Sequence, residues 1–216
     1  MDSWVVVPCQ RSRLDMLKRL LDSLQHPKHH VVIVATQPEP LGFADIGSHS
    51  DHIVLCHRTE HYISTWWNLG LSYARHMAIE PRYEVLVLSS DNVGRPDSIA
   101  MLATFMRERN LTMVGPNPWT NHIRIFKLHD VRGCHDRVPG GCWMLAGESG
   151  LRVDEEFRWW YSDDDLEMQA RAHGGAGILP GTGLVGGPDS PLDVERQLWA
   201  FQDREKFVAK WGKQPW

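Results

Sequence analysis

Apolar residues in the first half of the chain fall into short continuous runs, each followed by a stretch at helical spacing. Trp4-Val5-Val6-Val7 has the length of a buried strand; Pro8 ends it, and Leu14, Leu17, Leu20, Leu21 and Leu24 then recur as on one helix face. Val31 to Ala35, after His26-Pro27, is a second run, and Ile53-Val54-Leu55-Cys56, after a loop of Pro, Gly and Ser, a third. From Ser64 to Ile79 the positions Trp67, Leu71, Ala74 and Ala78 mark another helical face, and Val85-Leu86-Val87-Leu88 supplies the next strand. Pro96, suited to a first helical turn, leads into Ile99, Leu102, Phe105 and Met106, after which Leu111 to Val114 reads as a strand. Runs without polar alternation mean strands covered on both faces, so this half predicts a doubly wound, mainly parallel α/β sheet of Rossmann-like type.

Beyond Gly115-Pro116-Asn117-Pro118 the alternation stops and a mixed region is expected. Ile123-Arg124-Ile125-Phe126 reads as a short strand, and Gly140-Gly141 leads into the apolar Cys142-Trp143-Met144-Leu145. Asp163-Asp164-Asp165 opens a helix carrying Leu166, Met168, Ala170 and Ala172, which closes at Gly174-Gly175. A Gly/Pro-rich loop from Pro180 to Pro191 precedes a last helix through Val194, Leu198, Phe201 and Phe207.

A length of 216 residues at 42% hydrophobic and 23% charged suits one domain spanning residues 1–216. A formal charge of −4 excludes a polybasic nucleic-acid coat, so any polyanion must be read by a local patch. Apolar runs fall far short of the roughly 18 residues that a membrane span needs, and no partner membrane is expected. Cys9, Cys56, Cys134 and Cys142 are widely spaced with no Cys-x-x-Cys pair, which suits a reducing cytoplasm better than a disulfide frame or zinc knuckle. Twelve histidines and ten tryptophans are the compositional oddities.

In a doubly wound sheet the ligand crevice lies beyond the carboxyl ends of the strands, which directs attention to Pro8-Cys9-Gln10-Arg11, Thr36-Gln37 and Ser89-Ser90-Asp91-Asn92. Asp91, directly after a strand, can hold a divalent ion against a diphosphate, or else cap the turn before Pro96. Neither G-x-x-x-x-G-K-[ST] nor G-x-G-x-x-G follows the first strand, so P-loop and dinucleotide readings lose their main support. The three acids at 163–165 suit a helix N-terminus electrostatically, yet fewer would suffice for capping. Asp163 also follows Trp159-Trp160-Tyr161, aromatic rings that can set a sugar face beside a carboxylate.

Taken in order, Val5-Val6-Val7-Pro8 with Arg11, Trp67-Asn68-Leu69-Gly70, Leu88-Ser89-Ser90-Asp91-Asn92 with Pro96, Gly140-Gly141, Val153-Asp154-Glu155-Glu156-Phe157, Ser162-Asp163-Asp164-Asp165 and Lys210-Trp211-Gly212 resemble the family-2 glycosyltransferases of GT-A fold, in particular the small versions encoded by tailed phages of actinobacteria. The resemblance implies a nucleotide-sugar half (1–115) and an acceptor-side half with the C-terminal helix (116–216). It implies an inverting, metal-assisted transfer from a nucleotide-diphosphate sugar, foremost a UDP-sugar, in the host cytoplasm. Pro8, Cys9, Gln10, Arg11, Asn68, Ser90 and Asp91 would bind the donor, with Asp91 holding Mn²⁺ or Mg²⁺. Asp163 would be the general base, with Asp165 as its fallback, and Gly140, Gly141, Trp143 and Trp160 would face the acceptor. Ser90 stands where many members carry a first Asp.

The segment from Asn121 to Pro139 carries Arg124, Lys127, Arg132 and Arg137 against Asp130 and Asp136. By the resemblance, this region just before Gly140-Gly141 shapes acceptor recognition, which implies Arg124 and Arg132 on the acceptor side; the basic excess then puts DNA with a 5-hydroxymethylpyrimidine first among acceptors, ahead of virion protein or a saccharide. Two other classes stay open: a metal-dependent phosphohydrolase or nucleotidyltransferase built on Asp91 and the triple Asp, and an inactive nucleotide-sugar-binding module.

Overall fold

In a computed structural model, which describes residues 2–24, 29–36, 41–47, 53–58, 62–130, 133, 135–186 and 194–213, the apolar runs become strands of one sheet. Pro27, Gln37, Arg132, Cys134 and Gly187 lie outside the described residues. The strands are β1 (Asp2–Gln10), β2 (His29–Thr36), β3 (Ile53–Arg58), β4 (Tyr83–Leu88), β5 (Met113–Pro116), β6 (Arg124–Phe126), β7 (Cys142–Ala146) and β8 (Ala176–Leu179). The helices are α1 (Leu14–Ser23), a short α2 (Phe43–Ile46), α3 (Ile63–Met77), α4 (Ser98–Glu108), α5 (Ser162–His173) and α6 (Val194–Trp211).

The strand order is β3-β2-β1-β4-β7-β5-β8-β6. Strands β3, β2, β1 and β4 are parallel, whereas β7 runs antiparallel between β4 and β5. The connections run outward from β1 to β3 and then jump back to β4, so the order reverses between β1 and β4. In an open α/β sheet that reversal leaves a crevice at the carboxyl ends of the two strands.

Alternation along the strands sorts side chains to two faces. Val5, Val7, Ile33, Leu86 and Leu88 pack with Leu17, Leu20 and Leu21 of α1 and with Ile99 and Leu102 of α4. Trp4, Val6, Val32, Val85 and Val87 pack on the other face with Trp66, Trp67 and Leu71 of α3 and with Leu166 and Ala170 of α5. A smaller cluster of Phe157, Met168 and Phe207 fastens α6 to α5. Burial on both faces is why these strands read as unbroken apolar runs. Pro96 does not enter α4; it lies in the turn ahead of it, and the helix opens after Asp97, with the Arg95 N–H donating to Ser98 Oγ at 2.8 Å.

Candidate active site

A cleft of about 640 Å³ opens at the reversal between β1 and β4. Its floor comes from Pro8, Cys9 and Gln10 at the exit of β1, Ser89, Ser90, Asp91 and Asn92 at the exit of β4, and Pro139, Gly140 and Gly141 at the entrance to β7. Because β7 is antiparallel to β4, with Cys142 opposite Leu88, its beginning arrives at the end of β4. The Ser89 N–H donates to the Gly141 carbonyl at 2.9 Å, and buried Asn92 ties the junction with Nδ2 donating to the Gly141 carbonyl at 2.9 Å and to Ser89 Oγ at 2.7 Å. A Cβ on residue 141 would press on Ser89 Oγ at 3.0 Å.

Asp91 lines this cleft with one oxygen, Oδ1, buried and without a hydrogen-bond partner. Its Oδ2 stands 3.7 Å from Arg13 Nη1, too far for a direct hydrogen bond. Ser90 is buried beside it. Burial pushes the Cys9 thiol up to about 11, with Ser90 and Arg13 opposing more weakly, so Cys9 is a neutral wall group at physiological pH and no thiolate nucleophile.

Asp163, in the first turn of α5, stands beside the cleft. Its carboxylate lies directly over Gly140, where a Cβ would collide with Oδ2. Tyr161, immediately before the helix, adopts a left-handed conformation with φ 60°, a strained geometry for a non-glycine residue. The segment leading to Gly140 is clamped to the same helix. The Val138 N–H donates to Glu167 Oε2 at 2.8 Å, Arg171 Nε donates to Glu167 Oε1 at 2.7 Å, and Arg171 Nη2 donates to the Asp136 carbonyl at 2.8 Å. Gly140→Ala is therefore expected to move the Asp163 side chain rather than the backbone, with a thermal midpoint within a few degrees of wild type by scanning fluorimetry.

The far wall is aromatic. Trp66, Trp119, Trp159 and Trp160 line it, with the Arg196 guanidinium 4.6 Å from the Trp159 ring centroid. Trp160 Nε1 is buried and lacks a hydrogen-bond partner. The wall is set by Asp203 of α6, fully buried, whose Oδ2 accepts the N–H groups of Arg158, Trp159 and Trp160, each at 3.1 Å, while Lys206 pairs with Oδ1 at 3.2 Å.

Of the residues expected from sequence, Pro8, Cys9, Gln10, Ser90, Asp91, Gly140, Gly141 and Trp160 line the cleft, and Asp163 abuts it. Five others are corrected. Asp165 is fully buried, with Oδ1 accepting from Trp211 Nε1 at 2.8 Å and pairing with Lys210 at 2.9 Å, and Oδ2 accepting from Gln169 at 2.8 Å; it anchors α6 and does not serve as a base. Trp143 faces the core against Trp67, because its β7 position points to the α3 side of the sheet. Asn68 is spent on structure, donating to the Val153 carbonyl and Glu155 Oε1, each at 2.8 Å, and accepting the Val153 N–H at 3.0 Å. Arg11 turns away to Asp45, at 2.8 Å. Arg124 pairs with Asp136 at 2.7 Å and does not line the cleft. Arg132, also expected on the acceptor side, lies outside the described residues.

Sequence reasoning missed Arg13, Arg196 and Asp203, and took Arg137 only as part of a basic segment. Arg13 lies two positions past a residue already singled out, but nothing in the local pattern says which arginine turns inward. The acids at 163–165 do not converge on Asp91: Asp164 and Asp165 are buried in α5, and among the described residues no group of three His, Cys, Asp or Glu side chains stands ready to hold a metal. A two-metal hydrolytic centre would require such convergence.

This strand order, with its cleft at the β1/β4 reversal and an antiparallel β7 at its lip, is that of the GT-A glycosyltransferase fold. The chain is similar to solved structures of S. aureus TarS: TarS 1–349 in complex with UDP (15% identity, TM-score 0.65, 88% of this chain) and TarS 1–349 in complex with UDP-GlcNAc (13%, 0.63, 89%). The chain spans 61% and 60% of the length of those two chains. No protein-family model matches the sequence, and no curated protein matches it. Among the described residues no helix is long and apolar enough to cross a membrane.

Proposed function

We propose that this chain is an inverting glycosyltransferase that moves a sugar from a UDP-sugar to an acceptor hydroxyl. The reading rests on one observation: at the cleft at the strand-order reversal, Asp91 lines the floor with a buried, unpartnered Oδ1, and Asp163 packs against Gly140 of its rim. The binding of UDP and UDP-GlcNAc by TarS, which shares the fold, supports a uridine-diphosphate donor.

The donor occupies the floor beside Pro8, Cys9 and Gln10, with its diphosphate near Ser90 and Asp91. Asp91 suits a divalent cation, because its Oδ1 is an unpartnered buried acceptor and Mg²⁺-type ions need only one or two protein carboxylates when phosphate oxygens and water complete the shell. Mn²⁺ or Mg²⁺ there would neutralise charge on the leaving diphosphate. Asp163 takes the proton of the acceptor hydroxyl as the oxygen bonds to the anomeric carbon; the carbon–oxygen bond to the diphosphate breaks, and UDP leaves with its electron pair. Attack opposite the leaving group inverts the anomeric centre.

DNA bearing a 5-hydroxymethylpyrimidine, virion protein and saccharide are the acceptor classes to weigh. The DNA reading relies on free cations in residues 121–139, yet Arg124 is paired with Asp136 and lies off the cleft, and Lys127 Nζ donates to the Gly174 carbonyl. Arg137 of the same segment does line the cleft, and the tryptophan wall can stack on a nucleobase as on a sugar face, so DNA, protein and saccharide are all offered in the test.

The test is incubation with UDP-, GDP- and TDP-sugars, with and without Mn²⁺, with all three acceptor classes offered. UDP release matched by a sugar-sized mass increase on an acceptor is the expected result, and Asp91→Ala should abolish its Mn²⁺ dependence and most of the rate without lowering the thermal midpoint. Phosphate release without transfer, or binding with no reaction, would replace this reading with a hydrolase or a binding module.

A further inference from the structure

The 3-10 turn Arg11–Arg13 follows β1 directly and separates two arginines. Arg11 goes to Asp45, whose other oxygen accepts the Gly42 N–H at 2.7 Å, so that pair belongs to the α2 turn. Arg13 goes into the cleft, with its side chain 35% exposed and its guanidinium facing Asp91. The pair is loose. At 3.7 Å the contact is Coulombic, and Asp91 keeps its second oxygen unsatisfied.

The rest of the donor floor is uncharged: Pro8, the Cys9 thiol, Gln10, Ser89, Ser90 and Asn92. Of the other arginines lining the cleft, Arg137 precedes Pro139 and faces Asp164 at 3.7 Å, and Arg196 lies on Trp159. A diphosphate entering beside Asp91 meets a carboxylate that repels it and one adjacent guanidinium whose planar fork fits paired phosphate oxygens. Resting on the proposed donor chemistry, we infer that Arg13 is a diphosphate ligand, facing Asp91 across 3.7 Å and moving to the phosphates when the donor binds. Asp91 is thereby released to face a cation.

Calorimetry with UDP and with uridine, in Mn²⁺ and in EDTA, tests this. Arg13→Met, which removes charge and fork but keeps the stem, weakens UDP by about ten-fold or more in both buffers, the scale of one lost charge-assisted hydrogen bond, and leaves uridine unchanged. Arg13→Lys recovers part of the loss. Arg11→Met leaves UDP affinity at the wild-type value. In EDTA, Asp91→Asn binds UDP more tightly than wild type, because the repulsion between the Asp91 carboxylate and the diphosphate is gone and Arg13 no longer faces a competing carboxylate. Equal loss of UDP and uridine in Arg13→Met would mark a collapsed loop and overturn the assignment, as would unchanged UDP affinity; weaker UDP binding by Asp91→Asn in EDTA would overturn the exchange. A wild-type protein that binds no nucleoside diphosphate would instead overturn the donor reading itself, and this proposal with it.

Discussion

Asp163→Asn is expected to lower the rate of sugar transfer by about 10²-fold or more, the scale of losing a general base, with UDP affinity unchanged. The amide keeps the shape that packs over Gly140 and removes only the capacity to take a proton, so the thermal midpoint should hold. Single-turnover rates combined with UDP calorimetry separate the roles. Loss of UDP binding in the variant would make Asp163 a donor ligand, and the base would then have to be sought elsewhere than Asp165, which is locked by Trp211, Lys210 and Gln169.

Asp203→Ala should cost about 3–5 kcal/mol of stability, because it strands several buried backbone donors at about 1–3 kcal/mol each. Three backbone N–H groups lose their common acceptor at once, whereas Lys206 keeps the Glu156 carbonyl and solvent. Against a typical total of about 5–15 kcal/mol this is a large share, to be read as a shift in urea midpoint. Asp203→Asn retains an acceptor oxygen and should lose much less. Two of the three stranded groups belong to Trp159 and Trp160, so in the milder variant acceptor KM should rise while UDP affinity stays the same. Equal stability of Asp203→Ala and wild type would mean that the aromatic wall is held by packing alone.

The prediction of a mixed second half is correct in kind but misses an element. Strand β8, Ala176–Leu179, has four residues including a glycine and no β-branched run, so it gives no periodic signal of its own and exists because β5 and β6 pair with it on either side. The two wrongly placed aromatic and amide residues, Trp143 and Asn68, share a cause: both sit in real motifs of the right region, and only the facing of their element decides whether they meet the cleft or the interior. For Trp143 that is the pleat of β7, and for Asn68 the contact between α3 and the Val153 loop.

Local order was legible because its causes are local. Continuous Val and Leu runs mark strands buried on both faces, leucines at helical spacing mark α1, and the residues ending β1 and β4 must stand at the mouth of any crevice the sheet leaves. The tertiary structure alone decided that β7 enters antiparallel between β4 and β5, which sets Gly141 against Ser89 across 52 positions of sequence and carries Gly140 beneath Asp163. It alone turned Arg13 rather than Arg11 into the cleft, and buried Asp164 and Asp165. Strand pairing, side-chain facing and the partner of a charge are settled by contacts between distant segments, whose energies no short window of sequence contains.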